Sequence, residues 1–227
     1  MKLFFVAISI STSIILFSQK EEFNKISLEA NIGFTKPVYP FTAGYFTNFL
    51  SPSHTNLGFR YALNDRFGVR ADFGFDHFKN DEFGKNDSSI VFKANYYRTS
   101  LEGVINLGNI IFKQTPMNGK FGLLLHGGGG FSILHSPLTL KNIEWKTDHS
   151  DIMINFMMGL TGQYKISERI AINLDFTLVS HLFQTFTFDM YNSAKRGGFD
   201  GVLLNVNTGI SWYIGKNTKH IDWKTKH

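Results

Sequence analysis

The stretch Ile170-Ala171-Ile172-Asn173-Leu174-Asp175-Phe176-Thr177-Leu178 alternates without a break: Ile, Ile, Leu, Phe and Leu on one parity, Ala, Asn, Asp and Thr on the other. A period of two is that of a β-strand, whose successive side chains point to opposite faces. One face of this strand is therefore apolar and the other small, polar and charged. The same reading covers seven further stretches, 26–34, 55–63, 67–75, 97–107, 121–133, 152–164 and 202–214. No convincing helical period appears anywhere, and the chain reads as all-β.

Sorting the eight stretches by parity separates the charges. One face carries Ile26, Leu28, Ile32, Leu57, Phe59, Val69, Phe73, Leu101, Phe121, Phe156, Leu174, Phe176, Ile210, Trp212 and their like, and no charge. The other carries Glu29, Arg60, Arg70, Asp72, Arg98, Glu102 and Asp175, with Asn31, Asn56, Asn106, His126, Asn155, Gln163, Asn173, Asn205 and Asn207. A soluble sandwich also alternates, but its polar face meets solvent and is usually rich in Lys. Here the polar face has no Lys and many Gly, Asn and Arg, the composition of a narrow interior. On a lipid-facing surface a charge costs roughly 2–4 kcal/mol at midplane, which explains its exclusion from the apolar face.

The connections alternate in kind. Those at 64–66, 108–120 and 165–169 are compact; those at 35–54, 76–96, 134–151 and 179–201 are long and rich in Gly, Asn, Asp, Lys and aromatics. Short turns at one end and long loops at the other predict an eight-stranded antiparallel up-and-down transmembrane β-barrel, with both termini on the short-turn side. Tyr61, Tyr97, Tyr164 and Trp212 fall near stretch ends, where amphipathic rings favour a membrane interface. An interior of this size is filled by side chains. The seven charged residues are thus expected to form a lumen network that plugs the barrel, with a gated leak through a rearranged ion pair as the competing reading.

The N-terminus agrees with export. Met1-Lys2, an apolar run over 3–17 and the small Ser18 make a signal peptide over 1–18. The run is too short for a membrane-spanning helix, which needs about 20 residues. Loss of Lys2 from the 23 Lys and Arg leaves 22 against 18 acids, a net charge of +4. Without a basic cluster interleaved with aromatics, this mild excess gives no reason to expect nucleic acid. Cys is absent, excluding disulfides, thiol nucleophiles and zinc ribbons. The 24 Phe in 227 residues need a core or lipid to cover them.

Motifs that suggest chemistry have plainer readings. His126-Gly127-Gly128-Gly129-Gly130 resembles an oxyanion-hole run, but no Gly-x-Ser-x-Gly elbow accompanies it. Glycine inside a strand pattern marks a bend or a close backbone approach. Nor does a phosphate loop fit, since no Lys-Ser or Lys-Thr follows. A lipid-modifying barrel enzyme would use a Ser and a His on the wall. Here His126 and Ser132 share a face six residues apart, about 20 Å along a strand, while Ser180-His181 and His135-Ser136 point to opposite faces. The eight His match no recognised ligand spacing. No catalytic residue, cofactor or metal is expected.

Three stretches carry a family likeness: Tyr96-Tyr97-Arg98-Thr99-Ser100-Leu101-Glu102-Gly103-Val104-Ile105-Asn106-Leu107-Gly108, Phe121-Gly122-Leu123-Leu124-Leu125-His126-Gly127-Gly128, and Tyr213-Ile214-Gly215-Lys216-Asn217-Thr218-Lys219-His220-Ile221-Asp222-Trp223. Across 26–223 the order and spacing resemble the N-terminal barrel of OmpA-like outer membrane proteins, and the last stretch resembles its exit into a periplasmic linker. The resemblance implies a barrel over 19–215, a short periplasmic tail over 216–227, and outer membrane lipids as partner. Such proteins often continue into a domain that grips peptidoglycan. Residues 216–227 are too few for one, so peptidoglycan contact is not expected of this stretch; a barrel-only form and a piece of a longer chain stay open. A structural or adhesive role follows, with an extracellular ligand or cell surface met by the long loops, especially 36–41 and 189–198. A narrow solute pore is the alternative.

Overall fold

The computed structural model describes residues 23–39, 53–79, 90–111, 119–140, 146–188, 193 and 197–223. The signal-peptide stretch, residues 40–41 of the loop motif at 36–41, and most of the one at 189–198 lie outside them. Eight strands, β1 (Ile26–Tyr39), β2 (His54–Ala62), β3 (Phe67–Lys79), β4 (Ile90–Asn106), β5 (Phe121–Leu140), β6 (Lys146–Ser167), β7 (Ile170–Leu182) and β8 (Val202–Ile214), pair antiparallel in sequence order. β1 also pairs with β8 from Ile26 opposite Ile214 onward, which closes the barrel.

The parity read from the sequence fixes what faces where. Glu29, Arg60, Arg70, Asp72, Arg98, Glu102, Asp175 and the Asn, Gln and His of their parity are all buried. The apolar parity faces out, with Leu57 65%, Leu101 67% and Ile152 68% exposed. This is the reverse of a water-soluble domain, where such side chains fill the interior.

The strands run further than the alternation of apolar residues suggests. Stretches 35–54, 76–96, 134–151 and 179–201, expected as loops, supply the ends of β1, β3, β5 and β7 and the starts of β4 and β6. Past the apolar belt backbone pairing continues, and it needs no apolar side chain on the outer face. On the outer face the belt ends where His77 meets Asn95 at 2.8 Å and His135 meets Ser150 at 2.9 Å. Just beneath, the rings of Phe75 and Tyr97 lie 5.2 Å apart. On β3 the belt therefore spans 67–75, close to the roughly 9–11 tilted residues that cross a bilayer.

At the opposite, short-turn end, Asn64 Oδ1 accepts from the backbone N–H of Arg66 (2.8 Å) and Phe67 (2.9 Å), an Asx turn that reverses β2 into β3. Leu107, expected at a strand end, instead begins a short helix, α1 (Leu107–Ile111). Its cap is Asn106, whose Oδ1 accepts the N–H of Asn109 at 3.0 Å.

Candidate functional site

The barrel interior gathers the residues with chemistry, and its two halves differ. Nearer the short turns, Arg60 sits opposite Arg70 on β2 and β3, and Arg70 opposite Glu102 on β3 and β4. Two facing guanidinium groups repel unless an anion lies between. Glu29 from β1 is that anion: Arg60 Nε donates to its Oε1 (3.0 Å) and Arg70 Nη1 to its Oε2 (3.4 Å). Arg70 Nη2 then donates to Glu102 Oε2 at 2.7 Å.

Asp175 joins this run only through His126, whose Nε2 lies 2.9 Å from Asp175 Oδ2. A carboxylate only accepts, so Nε2 carries the proton. The other nitrogen, Nδ1, is 2.8 Å from Arg70 Nη2 and 2.7 Å from Glu102 Oε2. In a neutral ring it accepts from Arg70; in a protonated ring it donates to Glu102. The hydroxyls of Thr161 and Thr177 complete Asp175, each at 2.6 Å. Gly159 makes room for the ring, because a Cβ there would collide with His126 Cε1. Arg98 and Asp72 form a separate pair at 3.4 Å, with Asn56 donating to Asp72 at 2.7 Å.

The short-turn end is closed by residues beyond β8. Where the sequence suggests an exit from the barrel, residues 217–223 fold back onto its mouth, ending in a 3-10 helix, Ile221–Trp223. Arg60 grips Asp222 with both terminal nitrogens, Nη1 at 3.0 Å from Oδ1 and Nη2 on Oδ2. His220 stacks on Tyr213 with centroids 4.2 Å apart, and Trp223 lies against Gly122, where a Cβ would come within 3.2 Å of the ring. Asn24 clamps the segment through bonds with Asn217, Lys219 and Ile221. Burial pushes the Asp222 carboxyl up, but Arg60 and His220 outweigh it and hold the group well below the usual carboxylate range.

Toward the long loops the arginine–carboxylate pairs give way to other contacts. His54 and Thr35 both hydrogen-bond Asp76. Beyond them Phe78, Ala94, Tyr96, Leu134, Met153, Met157, Val179, Phe188 and Leu203 form an apolar cluster. Phe188 comes from the segment after β7, which turns at Phe183 (φ 63°) and is tied down by Asp151 Oδ2 accepting from the N–H groups of Thr185 and Phe186. Inside the cluster one chain of hydrogen bonds has a fixed direction. His181 Nδ1 faces the Gly201 carbonyl (3.1 Å) and must donate, so its Nε2 accepts from Tyr96 (2.6 Å). Ser132 therefore donates to Tyr96 (2.7 Å), and Asn155 donates to Ser132 (2.6 Å).

Parity placed His126 in the interior, but not as the link between Glu102 and Asp175. Ser132 pairs with Tyr96 rather than His126, and it meets His181 only through the Tyr96 hydroxyl. Asp222 carried no strand signal at all. A usable clue was its flanking by Ile221 and Trp223, apolar residues that a solvated linker does not need.

No protein-family model matches this chain, and no curated protein matches it. Solved structures match its fold. A major outer membrane protein from Thermus thermophilus superposes with a TM-score of 0.56 at 13% identity, covering 84% of this chain and 99% of that one. Neisserial surface protein A gives 0.50 at 11% identity, covering 83% and 97%. The eight-stranded closed barrel is thus a fold shared with outer membrane proteins, in keeping with the OmpA-like resemblance.

Proposed function

We propose that this chain is an integral protein of the bacterial outer membrane, exported by the signal peptide at 1–18. Its barrel is a closed structural scaffold without catalysis, and its long-loop end is a contact surface for an extracellular ligand or cell surface. The observation that carries this reading is the inverted partition: an apolar belt outside, ion pairs inside. Ion pairs are kept in a dry interior when each charge is matched, and an exposed apolar belt of this size needs lipid. The plugs at both ends, Asp222 with Trp223 and Phe188, support a scaffold over an open pore.

The test is cold SDS gel migration of the refolded mature chain, with and without boiling, beside its solubility without detergent. A heat-modifiable band that needs detergent is expected; a soluble monomer without a mobility shift would overturn the membrane reading. For the contact role, cells displaying the chain should lose surface attachment when 40–53 and 189–196 are replaced by Gly-Ser linkers of equal length, and unchanged attachment would remove it.

A further inference from the structure

Phe188 is fully buried, yet it does not belong to the barrel wall. β7 ends at Leu182, and the chain leaves the ladder at Phe183, the one non-glycine among the described residues with a positive φ (63°). A bulky side chain is strained there, and such strain persists only where the surroundings impose it. Asp151 on β6 is one such tether: its Oδ2 accepts from the N–H groups of Thr185 (2.6 Å) and Phe186 (2.9 Å). Gln184 pairs with Phe199, and Phe186 with Ser193, as isolated bridges rather than as a ladder.

The socket that receives Phe188 is built without it. Phe78 on β3, Tyr96 on β4 and His181 on β7 stand ring against ring, with centroids 6.0 Å apart from Phe78 to Tyr96 and 5.4 Å from Tyr96 to His181. Tyr96 and His181 are fixed by the hydrogen bonds that run from Asn155 and Ser132 to the Gly201 carbonyl, and Phe188 is no part of that chain. Gly201 leaves the incoming ring its room, since a Cβ there would come within 3.0 Å of Phe188 Cζ. Phe188 meets Phe78 at 6.0 Å and 72° and His181 at 5.7 Å and 76°. This is the edge-to-face geometry that aromatic pairs prefer, and a saturated group of the same size gains less from it.

The receptor is thus rigid and carried by strands, whereas its occupant rides on a strained segment outside them. We infer that Phe188 stands in for an aromatic ring presented from the long-loop side, and that residues 183–188 move out of the mouth to admit it. The inference rests on the reading of the long-loop end as a contact surface and adds the chemistry of the ligand and its place. Exchange of one ring for another keeps the outer mouth closed, so no pore opens. The affinity of the parent is lowered by the fraction of molecules in which Phe188 is seated. Loosening the Asp151 tether should therefore tighten binding, and relieving the strain at Phe183 should weaken it.

Methionine methyl groups are the reporters. Met153 and Met157 belong to the same cluster as Phe188, while Met158, 64% exposed on the outer face, registers any partition of a probe into lipid. The full mature chain, isotope-labelled at the methionine methyls and refolded into nanodiscs, is titrated with para-cresol and with its saturated counterpart, para-methylcyclohexanol, and followed by NMR. Met153 and Met157 should shift saturably with para-cresol, and the saturated alcohol should bind about fivefold more weakly. Asp151→Ala should tighten para-cresol binding about tenfold, the worth of a charge-assisted tether, and Phe188→Ala should bind at least as tightly as D151A. Phe183→Gly, which accepts the positive φ without strain, should weaken binding about threefold. A blocked Gly-Phe-Gly peptide separates the sources of the ring: tighter binding than para-cresol assigns it to a polypeptide, weaker binding to a free solute. If D151A lacks the heat-modifiable band, D151N and F183G carry the comparison. Shifts confined to Met158, or equal affinities in the parent, D151A and F183G, would overturn the inference and leave the barrel standing. A parent without the heat-modifiable band would remove the barrel reading, and the socket with it. Saturable shifts beside unchanged attachment in the loop replacement would remove the contact role but keep the ring site.

Discussion

The two halves of the interior solve one problem by different means. Both must fill a narrow tube that an apolar belt surrounds. The short-turn half does so with Arg60, Arg70, Glu29, Glu102, His126, Asp175 and Asp222, each charge lying against another. The long-loop half does so mainly with Phe78, Leu134, Met153, Met157, Phe188 and Leu203, with a neutral hydrogen-bond chain through Tyr96 running among them. Ion pairs tie together strands distant in sequence but fail badly when one member is lost, whereas an apolar cluster loses stability in proportion to the volume removed.

The largest effect expected from this contrast is at Arg70, which touches Glu29, Glu102 and His126. Arg70→Met leaves buried carboxylates uncompensated and should lower unfolding stability in vesicles by about 3–5 kcal/mol. Adding Glu102→Gln to R70M should recover part of the loss, since the stranded charge is then removed. A loss under about 1 kcal/mol, the worth of a solvent-screened pair, would mean that the ionic half is wet, and the comparison would break.

Phe188→Ala tests the other half. Burial at 0% exposure against Phe78 and His181 predicts a loss of about 3 kcal/mol, the low end for Phe→Ala because its segment is not a strand and relaxes into the space. The loss should stay constant between about pH 5 and 8, the range in which His alone titrates from its ordinary value. A strong pH dependence would show that the loss of Phe188 lets water reach His181, the ring it packs against, and that the apolar half does not stay dry.

These halves were unequally legible in the sequence. Parity alone put Glu29, Arg60, Arg70, Asp72, Arg98, Glu102 and Asp175 inside, because an outward charge in the belt is so costly that no strand has the wrong phase. Which of them meet was not legible: Arg70 facing Glu102 depends on the register between β3 and β4 across a long loop, and Asp175 reaches the run only through His126. The long-loop half was harder, since stretches 76–96 and 179–201 look like loops once the apolar side of the alternation stops. Tyr96, His181 and Phe188 come together only because pairing continues past the belt. Asp222 follows the last strand, where periodicity has nothing to say.

At Asp222 the ionic half meets a segment outside the barrel, so the expected effect is smaller. Asp222→Asn keeps the shape but not the charge, and Arg60 retains Glu29; a loss of about 2 kcal/mol at pH 7 is expected. Its folded carboxyl titrates below the ordinary value of about 3.9. The stabilisation is therefore fully present above that value and is lost as pH falls through the lower, folded one. Parent and D222N should differ by a constant amount from about pH 8 to about 5 and converge in stronger acid. Convergence on the alkaline side would contradict the sign.

The smallest effect sharpens the comparison most, because it probes the polar chain that runs inside the apolar cluster. Tyr96→Phe removes a hydroxyl that donates to His181 and accepts from Ser132, at almost no change in packed volume. His181 then lacks a donor while Ser132 keeps its bond from Asn155, which predicts a loss of about 1–2 kcal/mol. Ser132→Ala alone should cost less, since Tyr96 still donates to His181. If the chain of bonds acts as a unit, the double variant Y96F/S132A should be no worse than Y96F, a coupling that a double-mutant cycle reads directly. Additive losses would mean that the two hydroxyls serve separate neighbours, and that the neutral half, like the ionic one, is built from pairs.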